Sequence, residues 1–252
     1  MPELSSIQWL VVAVCAAMQG VAKTGVPGVG ILTVTLMAMA FGAEESVGLL
    51  LGILILADLF AITYHRKNAQ WRHVLRLLPA TLAGIAVGSV LLGQISDAQL
   101  KPIIGLIVLA MLALNWWRKR KQQVEPEVPK DWWFAAMMGF AAGVATMMAN
   151  AAGPVMIIYL LAMQLPKVQF VGTSAWFFFL VNWIKVPFSS KLGMMTFETI
   201  KIDLMMLPAI ALGAFLGIVL LHKIPQKKFG LIVQILAAAA AIKLLIPDGL
   251  FS

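Results

Sequence analysis

Apolar residues in this chain run in long blocks, at 7–41, 44–64, 73–92, 100–117, 132–165, 168–188, 200–222 and 229–246. A helix crossing a hydrocarbon core of about 30 Å needs about 20 such residues, and most blocks approach or pass that length. Charges and helix breakers stand between them. The one long polar stretch, Arg118 to Asp131, contains Pro126, Pro129 and charges of both signs. It falls near the middle and reads as a linker. The pattern predicts an all-α polytopic membrane protein with a first transmembrane repeat at 1–117, a cytoplasmic linker at 118–131 and a second repeat at 132–252.

Self-comparison supports the division. Shifting the first half by 129 lays LLPATLAGIAVGSVLLGQI (77–95) on MLPAIALGAFLGIVLLHKI (206–224), pairing Pro79 with Pro208, Gly84 with Gly213 and Gly88 with Gly217. A shift of 124 pairs Val47 and Gly48 with Val171 and Gly172, and Asp58 with Asn182; a shift of 123 pairs Gly20 with Gly143 and Gly30 with Gly153. The paired Gly84/Gly88 and Gly213/Gly217 predict small-residue faces for close helix packing.

Each half opens with an interrupted block. Ile7 to Phe41 is broken by KTGVPGVG at 23–30, and Trp132 to Leu165 by NAAGP at 150–154. Arms of about 15 residues, or about 22 Å, are short for a full crossing, so each block is expected to form a broken or re-entrant hairpin followed by three transmembrane helices. Irregular backbone at membrane depth is tolerated only where protein buries it or it lines a wet cavity. Both breaks are therefore expected inside.

Composition agrees: 61% of residues are hydrophobic and only 12% charged, against about 25% charged in soluble domains. The net charge of +8 comes from basic clusters between apolar blocks, which orient helices and touch headgroups, so no nucleic-acid partner is expected. Basic residues at 66–76 and 118–130 place those loops in the cytoplasm. With both interrupted blocks as hairpins, Lys223, Lys227 and Lys228 also fall inside, whereas Lys191 and Lys201 fall outside against the rule. Three full spans per half then give the halves opposite orientation, an inverted-topology repeat of the kind used by transporters. Nothing basic precedes the first block, so Ile7 onward is expected to belong to the mature chain.

No enzyme constellation emerges. His65, His73 and His222 sit at loop edges and read as interfacial, Cys15 reads as packing, and GVPGVG follows no strand, so it is not a dinucleotide loop. Trp9, Trp71, Trp116, Trp117, Trp132 and Trp133 fall at block ends, as interfacial belts do. No cofactor or metal is expected. The candidates for chemistry lie at the breaks: Lys23, Thr24, Gly25, Gly28 and Gly30 in the first, and Asn150 in the second. Gly172, Thr173 and Ser174 open the next block, which later carries Asn182 and Lys185. An ammonium at mid-membrane needs a partner or a function, and the helix start after a break presents free N–H groups that suit an anion. Lys23 could equally pair structurally, and Lys185, near Pro187, could snorkel outward. Asp58 is either the counter-ion of Lys23 or a carboxylate that couples transport to a proton or sodium ion.

These features resemble the TauE/SafE sulfite exporter family, through KTGVPGVGILTV, the basic loop with Trp71 and Arg72 leading into LRLLPATLAGIAVGSVLL, and FVGTSAWFFFLVNWIKVPF. The family's more familiar first motif, several glycines and then a proline, is interrupted here by Lys23, Thr24 and Pro27. The resemblance implies a secondary transporter of small anions, commonly sulfite, sulfonates or related sulfur acids, in a bacterial inner membrane. An anion channel and a membrane assembly or anchoring protein are the alternatives. Expected partners are a small anionic substrate, the lipid bilayer and a coupling proton or sodium ion; a homodimer is compatible with the sequence.

Overall fold

The computed structural model describes residues 4–92 and 131–245, and every regular element in them is a helix. They are α1 (Ser6–Thr24), α2 (Gly30–Phe41), α3 (Ala43–His65), α4 (Trp71–Leu91), α5 (Trp132–Ala149), α6 (Gly153–Ala162), α7 (Lys167–Lys191), α8 (Phe197–Met205), α9 (Leu207–Lys223) and α10 (Gln226–Leu245). The apolar block 100–117 with Trp116 and Trp117, and the linker apart from Asp131, lie outside the described residues. Among the described residues α1, α3, α4 and α5 are long and apolar enough to cross a membrane, and α8 with α9 forms a fifth candidate span bent by 51°.

The chain doubles back at both breaks. Gln8 near the start of α1 donates to the carbonyl of Ala40 near the end of α2 at 3.0 Å, while Gln19 farther along α1 donates to Gly30 at 3.0 Å and to Thr33 Oγ1 at 2.5 Å. Contacts that run in opposite directions along two helices define a hairpin. In the second half Phe134, early in α5, stacks on Tyr159, late in α6, with ring centroids 5.9 Å apart. The arms are unequal, however, at 19 and 12 residues and at 18 and 10. The first arm is longer than expected because Ser5 and Gln8 form a capping box at its start and Lys23 and Thr24 remain helical. At about 28 Å, α1 by itself nearly matches the hydrocarbon core.

Different residues make the two breaks. Gly28 has φ +108°, a backbone that side chains disfavour, and Val26 and Pro27 leave the helix before it. In the second half Asn150 takes φ 52° as the cap of α5, a left-handed conformation that asparagine tolerates better than most residues. Pro154 then opens α6 without needing to donate an N–H. The block expected at 200–222 is likewise two helices, because Pro208 lacks the N–H that would continue α8 into α9. Its counterpart Pro79 sits inside the single helix α4.

The most intimate helix pairs are α1 with α9 and α4 with α5, so the first hairpin arm of each half packs on a helix of the other half. Glycines make both contacts. A Cβ on Gly213 would stand 1.9 Å from the Ala17 carbonyl oxygen, and one on Gly143 2.2 Å from that of Thr81. Backbones this close permit dense van der Waals contact where lipid supplies no hydrophobic drive. α3 packs on α7, and residues of both hairpin tips line one cavity beside them.

Candidate functional site

Buried polar side chains form two hydrogen-bonded clusters on successive turns of α7, one around Asn182 and one around Lys185. Lys23 Nζ, in the last turn of α1, lies 2.8 Å from Asp58 Oδ1 on α3 and 4.2 Å from the centre of the Phe178 ring on α7. Asn182 Nδ2 on α7 donates to the other carboxylate oxygen at 2.7 Å. That bond fixes the amide's orientation, because an ionised carboxylate only accepts. Asn182 Oδ1 is then left buried without a hydrogen-bond partner. One turn on, Lys185 Nζ donates to Asn150 Oδ1 and, at 3.3 Å, to Thr146 Oγ1; Asn150 Nδ2 in turn donates to the Val47 carbonyl at 3.0 Å. Asp58 and Lys185 are both at 0% exposure, so Lys185 does not snorkel.

With both lysines protonated, the two clusters together hold two ammonium groups and one carboxylate, one positive charge in excess. Beside it lies a cavity of about 60 Å³. A single water needs about 10–15 Å³, so this volume takes a few waters or an anion of a few heavy atoms. Lys23, Ser174, Phe178 and Asn182 line it, with Gln19 and Thr146 and the break residues Pro27, Gly28, Gly30, Asn150 and Gly153. The first turns of α2 and α6 thus both face the same space. The N–H groups of Ile31, Leu32 and Met156 already bond to the carbonyls of Gly28, Val29 and Ala152 and Pro154 has none, so what the two helix starts offer this space is chiefly the positive end of their dipoles.

A family model described as Sulfite exporter TauE/SafE matches residues 10–244. This chain belongs to the TauE/SafE family. It is therefore a protein of a membrane-transporter family, with several apolar helices able to span a bilayer. No curated protein and no solved structure matches the chain.

In this TauE/SafE protein the sequence-derived candidates divide by position. Lys23, Gly28, Gly30, Asn150, Ser174 and Asn182 come together on the cavity, while Asp58 and Lys185 stand directly behind its wall. Thr24, Gly25, Gly172 and Thr173 lie elsewhere. Thr24 shares its hydroxyl proton between the carbonyls of Gly20 at 2.9 Å and Ala214 at 2.8 Å, and a Cβ on Gly25 would meet the Gly217 carbonyl oxygen at 1.9 Å. Thr173 Oγ1 accepts from the Gln70 N–H at 2.9 Å, beside the approach of Gly172 to Asn68. His65, expected at an interface, is fully buried. Its Nε2–H donates to the Thr24 carbonyl at 2.9 Å, satisfying one of the acceptors that a helix end leaves open.

Sequence reading of the TauE/SafE chain passed over Gln19, Thr146, Phe178 and Asp203. Three of them carried a helical signal. Gln19 precedes Lys23 by four residues, Thr146 precedes Asn150 by four, and Ser174, Phe178, Asn182 and Lys185 form one stripe along α7, since residues three or four apart share a face. Asp203 gave none, because it follows Glu198 and Lys201 and reads as the polar edge of a span.

Proposed function

We propose that this protein is a secondary transporter that moves a small anion, sulfite, a sulfonate or a related sulfur acid, across a bacterial inner membrane by alternating access. The cavity between the two hairpin tips is the binding site. The observation that carries this reading is the convergence on that cavity of Lys23 and the starts of two helices, with Lys185 behind its wall. Such a site attracts an anion, which in turn favours the protonated form of both lysines. Asp58 serves to hold Lys23 at the wall, and Lys185 to hold Asn150 and Thr146. Asn182 Oδ1 is buried beside the cavity without a partner, so a hydrogen-bearing anion such as hydrogensulfite that reached it would gain a hydrogen bond that sulfate has no proton to supply.

The pairing of contacts supports two inverted repeats at 1–117 and 132–252. α1 on α9 is mirrored by α5 on α4, and the aligned residues Asp58 and Asn182 touch each other. Broken helices in inverted halves, with ligand groups at the breaks, are the arrangement on which rocking transporters rely. Here the two tips would part alternately toward each side.

Thermal stability of the purified protein, measured with sulfite, taurine, sulfoacetate, sulfate and acetate, tests the reading. A ligand at 100 times its Kd stabilises the native state by about 2.7 kcal/mol. At slightly acid pH, where hydrogensulfite is present, sulfite or a small sulfonate is expected to raise the melting temperature more than sulfate, and Lys23→Ala to abolish the shift. A protein indifferent to every anion, or a shift that persists in Lys23→Ala, refutes the site.

A further inference from the structure

Asp203 is a second carboxyl group inside the helix bundle, and the anion cavity makes no use of it. It sits on α8 with 2% of its surface exposed, and neither Oδ1 nor Oδ2 has a hydrogen-bond partner. The carboxyl lies against Gly52 of α3, where a Cβ would come within 1.7 Å of Oδ2. The missing side chain makes its room.

The charged and titratable groups on the elements packed against α8 are otherwise engaged or remote. On α3, among the described side chains, these are Glu45, near its start, Asp58, bonded to Lys23 and Asn182, and, at its far end, Tyr64 and His65, the latter bonded to Thr24. On α8 itself Lys201 pairs with Glu198 at 2.9 Å, both exposed. His222 and Lys223 stand at the far end of α9, and Lys23 of α1 is held by Asp58. None of these makes a hydrogen bond or ion pair with Asp203. An ionised carboxylate in that position would be desolvated with nothing in exchange, whereas the neutral acid is tolerated far better.

Internal comparison supplies an independent observation. Carrying the offset of 129 three residues beyond the matched block lays Asp203 on Val74, which is fully buried in α4. A valine fills that place in the fold, so packing alone does not call for an acid. A route to water also lies close by. A cavity of about 420 Å³ is lined by Glu45, Leu49, Glu198, Thr199 and Ile202, among others. Thr199 precedes Asp203, and Leu49 precedes Gly52, by about one helical turn. The 51° bend between α8 and α9 begins just past Asp203, so a change in that bend would move α8 on α3.

We propose that Asp203 is a proton-binding site that couples transport to the proton gradient. In the conformation described above it is the neutral acid. When the α8–α9 bend opens the contact with α3, the carboxyl O–H bond breaks and its proton passes to water in the neighbouring cavity; for coupling, the carboxylate must take up its next proton from the opposite side of the membrane before the contact closes, so that one proton crosses with each anion. A metal ion is the poorer occupant, since hard cations take about six oxygen ligands and among the described residues no three acidic, histidine or cysteine side chains gather. Coupling rests on the transporter reading, but the proton site itself does not depend on which anion is carried.

Infrared difference spectra of the protein in lipid vesicles, taken in H2O and D2O, report the proton directly. Wild type is expected to show at neutral pH the C=O band of a buried carboxylic acid, absent in Asp203→Asn and unchanged in Glu45→Gln. Asp203→Val, which copies the matched position, gives the same loss should the asparagine variant fail to fold. In vesicles loaded with sulfite, Asp203→Asn keeps sulfite counterflow while accumulation driven by a pH gradient falls to the level without a gradient. A wild type lacking the band, a band surviving in both variants, or gradient-driven accumulation by Asp203→Asn overturns the proposal. Wild type without sulfite counterflow would count against the anion assignment instead, and the infrared band would still decide for Asp203.

Discussion

Lys23 and Asp58 lie 2.8 Å apart inside the helix bundle, so removing either strands the charge of the other. Breaking a buried pair from one side costs about 3–5 kcal/mol, whereas replacing both partners by apolar residues of similar volume is often close to neutral. Lys23→Met and Asp58→Leu are each expected to melt well below wild type, and the double variant to recover most of that loss. Anion stabilisation should be absent from all three. A double variant whose loss equals the sum of the single losses would show that the pair does not act as a unit. Both residues were legible because a charge within an apolar run demands a partner, and pairing was one of two readings open for Asp58. Asp203 was not legible, since what marks it is Gly52, more than a hundred residues away in sequence.

The hairpin breaks were visible at the scale of elements, but their boundaries depended on particular bonds. The capping box at Ser5 fixes where α1 starts, and the bond from His65 to the Thr24 carbonyl holds its last turn, Lys23 and Thr24 included, in the helix. No periodicity reports such contacts. Gly28→Ala places a side chain at φ +108° and is expected to cost about 1–3 kcal/mol while weakening anion binding, as thermal melts with and without sulfite would reveal. Gly213→Val is more severe, because its Cβ falls 1.9 Å from the Ala17 carbonyl oxygen and only backbone movement can relieve the clash. The expected outcome is loss of the monodisperse folded species on gel filtration. If Gly213→Val purifies and melts like wild type, the α1–α9 contact is looser than described.

For the whole molecule, the two hairpins set which ends share a side of the membrane. Leu4, Phe41, Glu45 and Glu198 line one cavity, and Lys167 reaches the Leu221 and Ile224 carbonyls at 2.7 Å at another place. In a Cys15→Ala background, cysteines at Ser5, Glu45 and Glu198 are expected to label from outside intact cells, and those at Lys67 and Lys228 only after permeabilisation. Labelling of Ser5 and Glu45 from opposite sides would rule out a first hairpin that returns to its starting side. The matched halves have one more consequence, drawn from the bond between Asp58 and Asn182, aligned residues that meet at 2.7 Å. Two identical chains joined across a twofold axis must present the same residue from both sides, so an amide on one side and a carboxylate on the other cannot arise there. Only once the two halves are encoded separately, as they are within one polypeptide, can two such positions diverge, and the asymmetry lets a single carboxylate anchor a single lysine. On the duplicated-halves reading, divergence of the two copies therefore gave the protein a fixed electrical polarity, with the carboxylate always on the same half.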